Sequence, residues 1–336
     1  MLSSETQDKN SGAGQARTRR GVGKVSDSTE LLREVPEQTI PLRHWGRWAS
    51  GVLLIVVAIG IIRVLAGADI DYAAIPGFFV SATMLQGLVN TILLGVSAML
   101  MAAVLGTLLA MLRLSANPVG RGFAAFYIWL FRGPPVLLQI FLWFNLALII
   151  KEVTFGIPFT DITFATIPTN DIINPFTAAL LGLGLNEAAF MAEIVRGGIL
   201  GVNRGQTEAA HSLGMSPGLT FRRVIFPQTM RIIIPPTGNT FINTLKATSL
   251  AAPITYLELI HAGQNVSSIN LLVMEALIAA ALWYMVIVTL GTIGQHFLEQ
   301  KFDPEASRRH GSGSLSSKVL RNLRNPLPRR RKAGNL

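Results

Sequence analysis

LVNTILLGVSAMLMAAVLGTLLAML, residues Leu88 to Leu112, runs for 25 positions without a charged side chain. At about 1.5 Å of rise per residue, a helix of that length crosses the roughly 30 Å hydrocarbon core of a bilayer with some to spare for tilt. Outward from it the pattern repeats. Apolar blocks at about Ala49 to Ala66, Phe126 to Ile150, Pro175 to Val195, Ile242 to Ala262 and Leu271 to Leu298 bring the expected number of crossings to six. Closed β-barrels are the other solution in lipid, but they need short alternating segments, and these blocks are continuous and rich in Leu, Ala and Gly. The expected fold is therefore an all-α membrane protein. The first block holds VLLIVVAIGII, Val52 to Ile62, with nine Val, Leu or Ile residues. At about 0.3 to 0.6 kcal/mol each these offset Arg63, which can snorkel, and the block reads as an uncleaved signal anchor.

Composition agrees, with 50% of the 336 residues hydrophobic and 14% charged. The chain has no cysteine, which excludes disulfides, thiolate metal sites and cysteine nucleophiles. A net charge of +10 raises nucleic acid as a partner, so the placement of the basic residues decides. Eight precede the first block, two lie in 113 to 122, five fall between Arg196 and Arg231, and ten follow Glu299. Those 25 of 29 Lys and Arg share one side of a six-crossing layout, and Lys151 alone sits in the opposite loops. The positive-inside rule puts both termini in the cytoplasm and accounts for the charge without nucleic acid. Residues 1 to 44 and 303 to 336 are polar or basic without apolar period and are expected to be disordered. The basic run near the C-terminus is suited to locking topology or holding anionic lipid headgroups.

The most patterned polar segment is GQTEAAHSLGMSPGLTFRRVIFPQ, Gly205 to Gln228, inside the 203 to 228 loop on the basic side. Glu208, Ala209 and Ala210 fit a short helix stopped at Gly214, a residue able to take the left-handed conformation. Ser216 and Pro217 fit the cap and first position of a second helix, which Pro227 is expected to end. Leu213, Met215 and Phe221 beside Arg222 and Arg223 would then form an apolar patch rimmed by charge, suited to a protein partner or to the headgroup layer.

This segment resembles the EAA loop of ABC-importer permeases, with Glu208-Ala209-Ala210, a glycine six positions after the glutamate and Pro227 nineteen after it. Val224 and Phe226 stand where that family usually has Ile and Leu. The resemblance extends to LQGLVNTILLGVSAMLMAAVLGTLLAMLRLS (Leu85 to Ser115), YIWLFRGPPVLLQIFLWF (Tyr127 to Phe144), AAFMAEIVRGGI (Ala188 to Ile199) and NTLKATSLAAPI (Asn243 to Ile254). RGPP at Arg132 to Pro135 departs from the usual RGTP. The set looks like the polar amino-acid branch. It implies a five-helix permease core over 85 to 302, with the span at 45 to 67 as an addition. It also implies a second permease copy or sibling, two cytoplasmic ATPase subunits, an external solute-binding protein and a polar amino acid as cargo.

The ATPase has to be a separate chain, because no G-x-x-x-x-G-K-[ST] loop occurs and GVGK, Gly21 to Lys24, lacks the spacing and the hydroxyl. Five scattered histidines lack metal-ligand spacing and no Gly-x-Ser-x-Gly elbow is present, so no catalytic group, metal or cofactor is expected. A self-sufficient secondary transporter or channel, the competing class, would need inverted repeats or rings of intramembrane charge. A route for a zwitterion needs polar groups among apolar helices, and the candidates are Asn186, Glu187, Asn243, Lys246 and Gln139. Lys246 can equally snorkel from a helix that starts near Ile242, and Asn186 and Glu187 can equally be structural. Glu193 and Arg196, three apart, fit a local ion pair. Asn90, Asn145 and Glu275 fit helix-to-helix glue. Pro134 and Pro135 are expected to kink or interrupt the third span and free backbone groups that need partners nearby.

Overall fold

A computed structural model describes residues 45–156 and 163–302; the expected disordered ends lie outside the described residues. The chain divides into two units, Met1–Ala68 and Asp69–Leu336. The first contains one described element, α1 (Trp45–Ala66), whose window has a mean hydropathy of 2.5.

In the second unit, α2 (Ile75–Phe79) leads into α3 (Ala82–Leu114), which starts where the Ser81 hydroxyl accepts from the Met84 amide at 3.3 Å. After α4 (Pro118–Arg132) and α5 (Val136–Phe144) come the strands β1 (Glu152–Gly156) and β2 (Thr163–Pro168), paired antiparallel. A turn of helix, α6 (Thr169–Ile172), precedes α7 (Pro175–Leu200), which is capped by Asn174 accepting from the Thr177 amide at 3.0 Å. Then follow α8 (Arg204–Ser212), α9 (Pro217–Thr220), α10 (Phe226–Ala247), α11 (Leu259–Asn270) and α12 (Val273–Phe302).

Among these, α7 is the central helix: 61% of its most apolar window is buried, against 39% for α3 and 22% for α12. Its partners approach through small residues, the means by which helices pack closely in lipid. At Gly106 of α3 an added Cβ would lie 2.6 Å from Met191 Cβ and 2.8 Å from the Ala188 carbonyl of α7. At Gly182 of α7 it would lie 3.0 Å from the backbone of Ile140 in α5. One core cluster joins Leu94, Ile140, Leu183, Ala251, Ile254 and Tyr256, and a second joins Phe78, Met84, Leu259, Ala262 and Ile287. Large apolar side chains such as Leu100, Val104, Met285 and Leu290 remain exposed, as expected of a lipid-facing girdle.

Two expected spans have a different form. The third is broken: α4 and α5 meet at 97° around Gly133 to Pro135, as the paired prolines suggested. The fifth is displaced. Its helix begins at Phe226, not near Ile242, and ends at Ala247, after which the chain makes a 3-10 stretch over Thr248–Ile254 and a left-handed residue at Thr255 (φ 59°) before α11. Pro227 does not terminate a helix. It follows a π turn at Phe221–Ile225, where the Phe226 amide donates to the Phe221 carbonyl five residues back. That wider turn admits the ring, and the chain runs on through Pro235 and Pro236. Among the described residues four helices are long and apolar enough to cross a membrane, or five if α4 and α5 form one broken span. The all-α membrane class holds and the count of six is not reached. The hairpin of β1 and β2 was not expected.

Candidate functional site

The patterned loop folds as a helix, a turn and a second helical run. Asn203 starts α8 by accepting from the Gly205 amide at 2.8 Å. At the other end the Met215 amide donates to the Ala210 carbonyl at 3.1 Å and the Gly214 amide to the His211 carbonyl at 2.9 Å, with Gly214 at φ +76°. Those two bonds define a Schellman stop, which requires the left-handed conformation that a glycine supplies. The expected left-handed glycine stop is present. Glu208 and Ala209 are exposed and Ala210 is buried, so the glutamate points away from the surface on which α8 rests. Leu213 is 82% exposed at the turn, Leu219 and Phe221 of the following helical run are exposed as well, and the exposed Arg222 and Arg223 come next in the chain. Pro227 is exposed at the entrance to α10. An apolar tip on a capped, rigid turn is a surface built to be covered.

Four of the five candidate pathway residues fall into two groups, and Glu187 stands apart. Asn186 and Gln139 serve the break between α4 and α5. The Asn186 amide donates to the Phe131 carbonyl at 2.6 Å, and the Gln139 amide donates to the Phe131 and Pro134 carbonyls, both at 3.0 Å. These are the partners that the interrupted helix needs, since a buried carbonyl left unpaired costs about 1–3 kcal/mol. Arg132, at the end of α4, sits 4.7 Å over the Phe190 ring of α7. Glu187, half-buried on α7, lies beside the Thr244 hydroxyl of α10. Glu193 and Arg196 form the expected ion pair at 2.6 Å.

Asn243 and Lys246 belong to the second group, with Asn239 on the same face of α10. Together with Thr292, Gln295, His296 and Glu299 of α12 they line an open groove of about 560 Å³. Because α10 starts at Phe226, Lys246 stands at its last turn and is exposed in that groove, not one turn inside a helix that begins at Ile242. Gln295 anchors the groove wall by donating to the Pro235 carbonyl at 3.2 Å and to Glu299 at 2.8 Å. The lining offers one ammonium, Lys246, and one carboxylate, Glu299, with amides between. That set can meet the carboxylate and the ammonium of a zwitterion.

Of a third polar cluster the sequence reading found Asn90 and Glu275, as glue between helices, and missed Glu258. Glu258 is fully buried and caps α11, accepting from the Ile260 amide at 2.9 Å, the His261 amide at 2.8 Å and the Tyr284 hydroxyl of α12 at 2.8 Å. Asn90 and Thr91 of α3 bind the same turn through the Leu257 carbonyl and the Leu259 amide. Glu275 accepts from the Asp71 amide at 2.8 Å. A buried carboxylate at the first turn of a helix satisfies free amides, so these residues hold the fold and do not line the groove. Among the described residues no group of His, Cys, Asp and Glu is arranged to hold a metal ion.

Comparison with known proteins bears on this geometry. Residues 102–304 match the family described as "Binding-protein-dependent transport system inner membrane component". The chain is similar to the arginine transport system permease protein ArgU of Corynebacterium glutamicum, at 40% identity over 276 residues, 81% of this chain and 85% of that protein. It is 36% identical to the probable amino-acid permease protein YxeN of Bacillus subtilis over 225 residues, 66% of this chain and 93% of that one. Among solved structures, one described as the crystal structure of an amino acid ABC transporter with histidines aligns with a TM-score of 0.59 and 28% identity, covering 70% of this chain and 100% of that chain.

Proposed function

We propose, from the premise that the chain belongs to the family of binding-protein-dependent transport system inner membrane components and is a permease subunit of an ABC importer, that its cargo is a polar amino acid, and specifically a basic one. In this family ATP hydrolysis belongs to a separate subunit and a substrate-binding protein is a partner. The observation that carries the coupling is the helix-turn-helix at Arg204–Ile225, with Leu213 82% exposed among the described residues. We read it as the seat of the ATPase, on the cytoplasmic side that the basic residues mark. Nucleotide-driven closure of that partner moves α8 and α9, and α10, continuous with α9 through the π turn, carries the motion to the groove. Glu208 faces the partner, and Pro227 fits the junction where the seat becomes the lever.

The groove of Asn239, Asn243, Lys246 and Glu299 is the cargo route, with Glu187 beside α10 as a neighbouring carboxylate. Asn186 and Gln139 hold its wall by fixing the break of α4 and α5. A second copy of the chain, or a sibling permease, closes the open side of the groove. The preference for a basic cargo is supported by the arginine permease, which aligns over more of this chain and at higher identity than the other relative described above. Span α1, outside the matched residues 102–304, is an added membrane anchor.

The test is uptake of labelled L-arginine into proteoliposomes holding the permease, its ATPase and its binding protein. ATP-dependent uptake is expected; uptake by the permease alone would establish a secondary transporter instead. In the same vesicles Lys246→Met removes the groove's ammonium. Loss of one charge-assisted hydrogen bond, about 1.5–3 kcal/mol, lowers uptake at subsaturating cargo by about tenfold or more. Unchanged uptake would mean that Lys246 only snorkels.

A further inference from the structure

The β1–β2 hairpin has no role in the account so far, and its placement is constrained on three counts. Its register runs from Glu152 opposite Pro168 to Gly156 opposite Thr163, with an irregularity between Phe155 and Gly156. An isolated two-stranded hairpin is marginal in water. This one is clamped at its base by Thr169, itself 1% exposed, whose amide donates to the Lys151 carbonyl at 3.0 Å and whose hydroxyl donates to the Ile150 carbonyl at 2.5 Å. Beyond the clamp the hairpin projects: every residue of β2 is exposed, and Phe164 is 71% exposed. Among the described residues the sheet has only these two strands, an arrangement that another chain can extend.

Its end of the molecule is fixed by α7. That helix starts at Pro175, six residues after the clamp, and ends at Leu200, four residues before α8. Its 26 residues span about 39 Å, so the hairpin and the ATPase seat lie at opposite ends of the most buried of the long helices. We infer that the hairpin is a docking surface for the solute-binding protein, with Phe164 and Ile167 as its apolar contacts. This rests on the reading that Arg204–Ile225 receives the ATPase on the cytoplasmic side. Lipid headgroups are the competing occupant, and the strands do not suit them. They carry Glu152, Thr154, Thr163 and Thr166 and none of the Trp, Tyr, Lys or Arg that populate membrane interfaces.

The experiment uses the complete importer in lipid nanodiscs, with the binding protein loaded with L-arginine as the titrant and ATP hydrolysis as the readout. The double variant Phe164→Asp with Ile167→Asp is expected to raise the half-saturating concentration of binding protein by about tenfold or more. Because the chain has no cysteine of its own, a bimane probe on Thr166→Cys reports occupancy directly. A probe response to the loaded binding protein supports the inference. A double variant that titrates like wild type, or a probe quenched by brominated lipid and indifferent to the binding protein, overturns it while leaving the functional reading in place. A wild-type importer that the loaded binding protein fails to stimulate overturns the functional reading itself, and the docking surface with it.

Discussion

Gly214→Val is expected to reduce ATP-driven uptake by at least about tenfold, while the chain still inserts and still forms its helical core. Gly214 has φ +76° and nothing within 4 Å of where a Cβ would stand. The substitution therefore meets no steric obstacle, and its whole effect comes from the backbone. A left-handed conformation costs an ordinary L-residue about 1–2 kcal/mol, and β-branched side chains tolerate it worst. The turn relieves that strain by giving up the bonds from the Met215 and Gly214 amides to Ala210 and His211. Once they open, Leu213 and Met215 swing away from the orientation that a rigid partner requires. Because about 1.4 kcal/mol is a factor of ten, strain of this size suffices to misplace the seat in most molecules. Gly214→Asn is the control, since asparagine enters the left-handed region more readily; uptake should largely survive. Equal uptake by the valine variant and wild type, with matched ATPase, would remove the coupling role of this turn.

The second large effect falls on stability. Gly106→Leu places a side chain where even a Cβ lies 2.6 Å from Met191 Cβ and 2.8 Å from the Ala188 carbonyl. One of those neighbours is backbone of the central helix and cannot rotate away, so α3 and α7 must separate. Overpacking of this kind costs about 1–3 kcal/mol, and leucine at a backbone contact belongs at the upper end. For a domain of this size that corresponds to a fall in midpoint of roughly 6–12 °C. Gly122→Leu on α4, with nothing within 4 Å, should move the midpoint far less. Thermal unfolding of the detergent-purified chain, followed by light scattering and tryptophan fluorescence, separates the two.

The contrast between these two glycines shows which features the sequence carries locally. Gly214 was legible because a helix stop is a local event: a glycine after a short amphipathic run, followed by Ser216 and Pro217, has few other readings. Gly106 could be read only as part of an apolar block, since its role depends on a helix some 80 residues away. The same division runs through the fold. The α1, α3, α7 and α12 blocks were visible because length and apolar continuity are properties of the segment itself. The true start of α10 was hidden because Pro227, Pro235 and Pro236 are breakers by every local rule, and a π turn with surrounding packing overrode them. Asn186 and Gln139 look like pathway groups from their polarity alone; only the 97° break explains why their amides meet Phe131. Glu258 lies inside the block read as the fifth span, yet its role stayed hidden because it depends on where α11 starts and on a donor from α12, neither of which the block reveals. A carboxylate at the N-cap position, immediately before Leu259, is the signal that was available.

The reading that the permease is driven through Arg204–Ile225 is tested most directly at the tip of that segment. With no native cysteine, Leu213→Cys gives a single thiol at a highly exposed point of the turn. In sealed membranes of known sidedness, a membrane-impermeant maleimide is expected to reach it from the cytoplasmic face only, and to be blocked when the ATPase subunit is assembled on the permease. Labelling from the outer face, or labelling that the assembled ATPase leaves unchanged, would contradict the account.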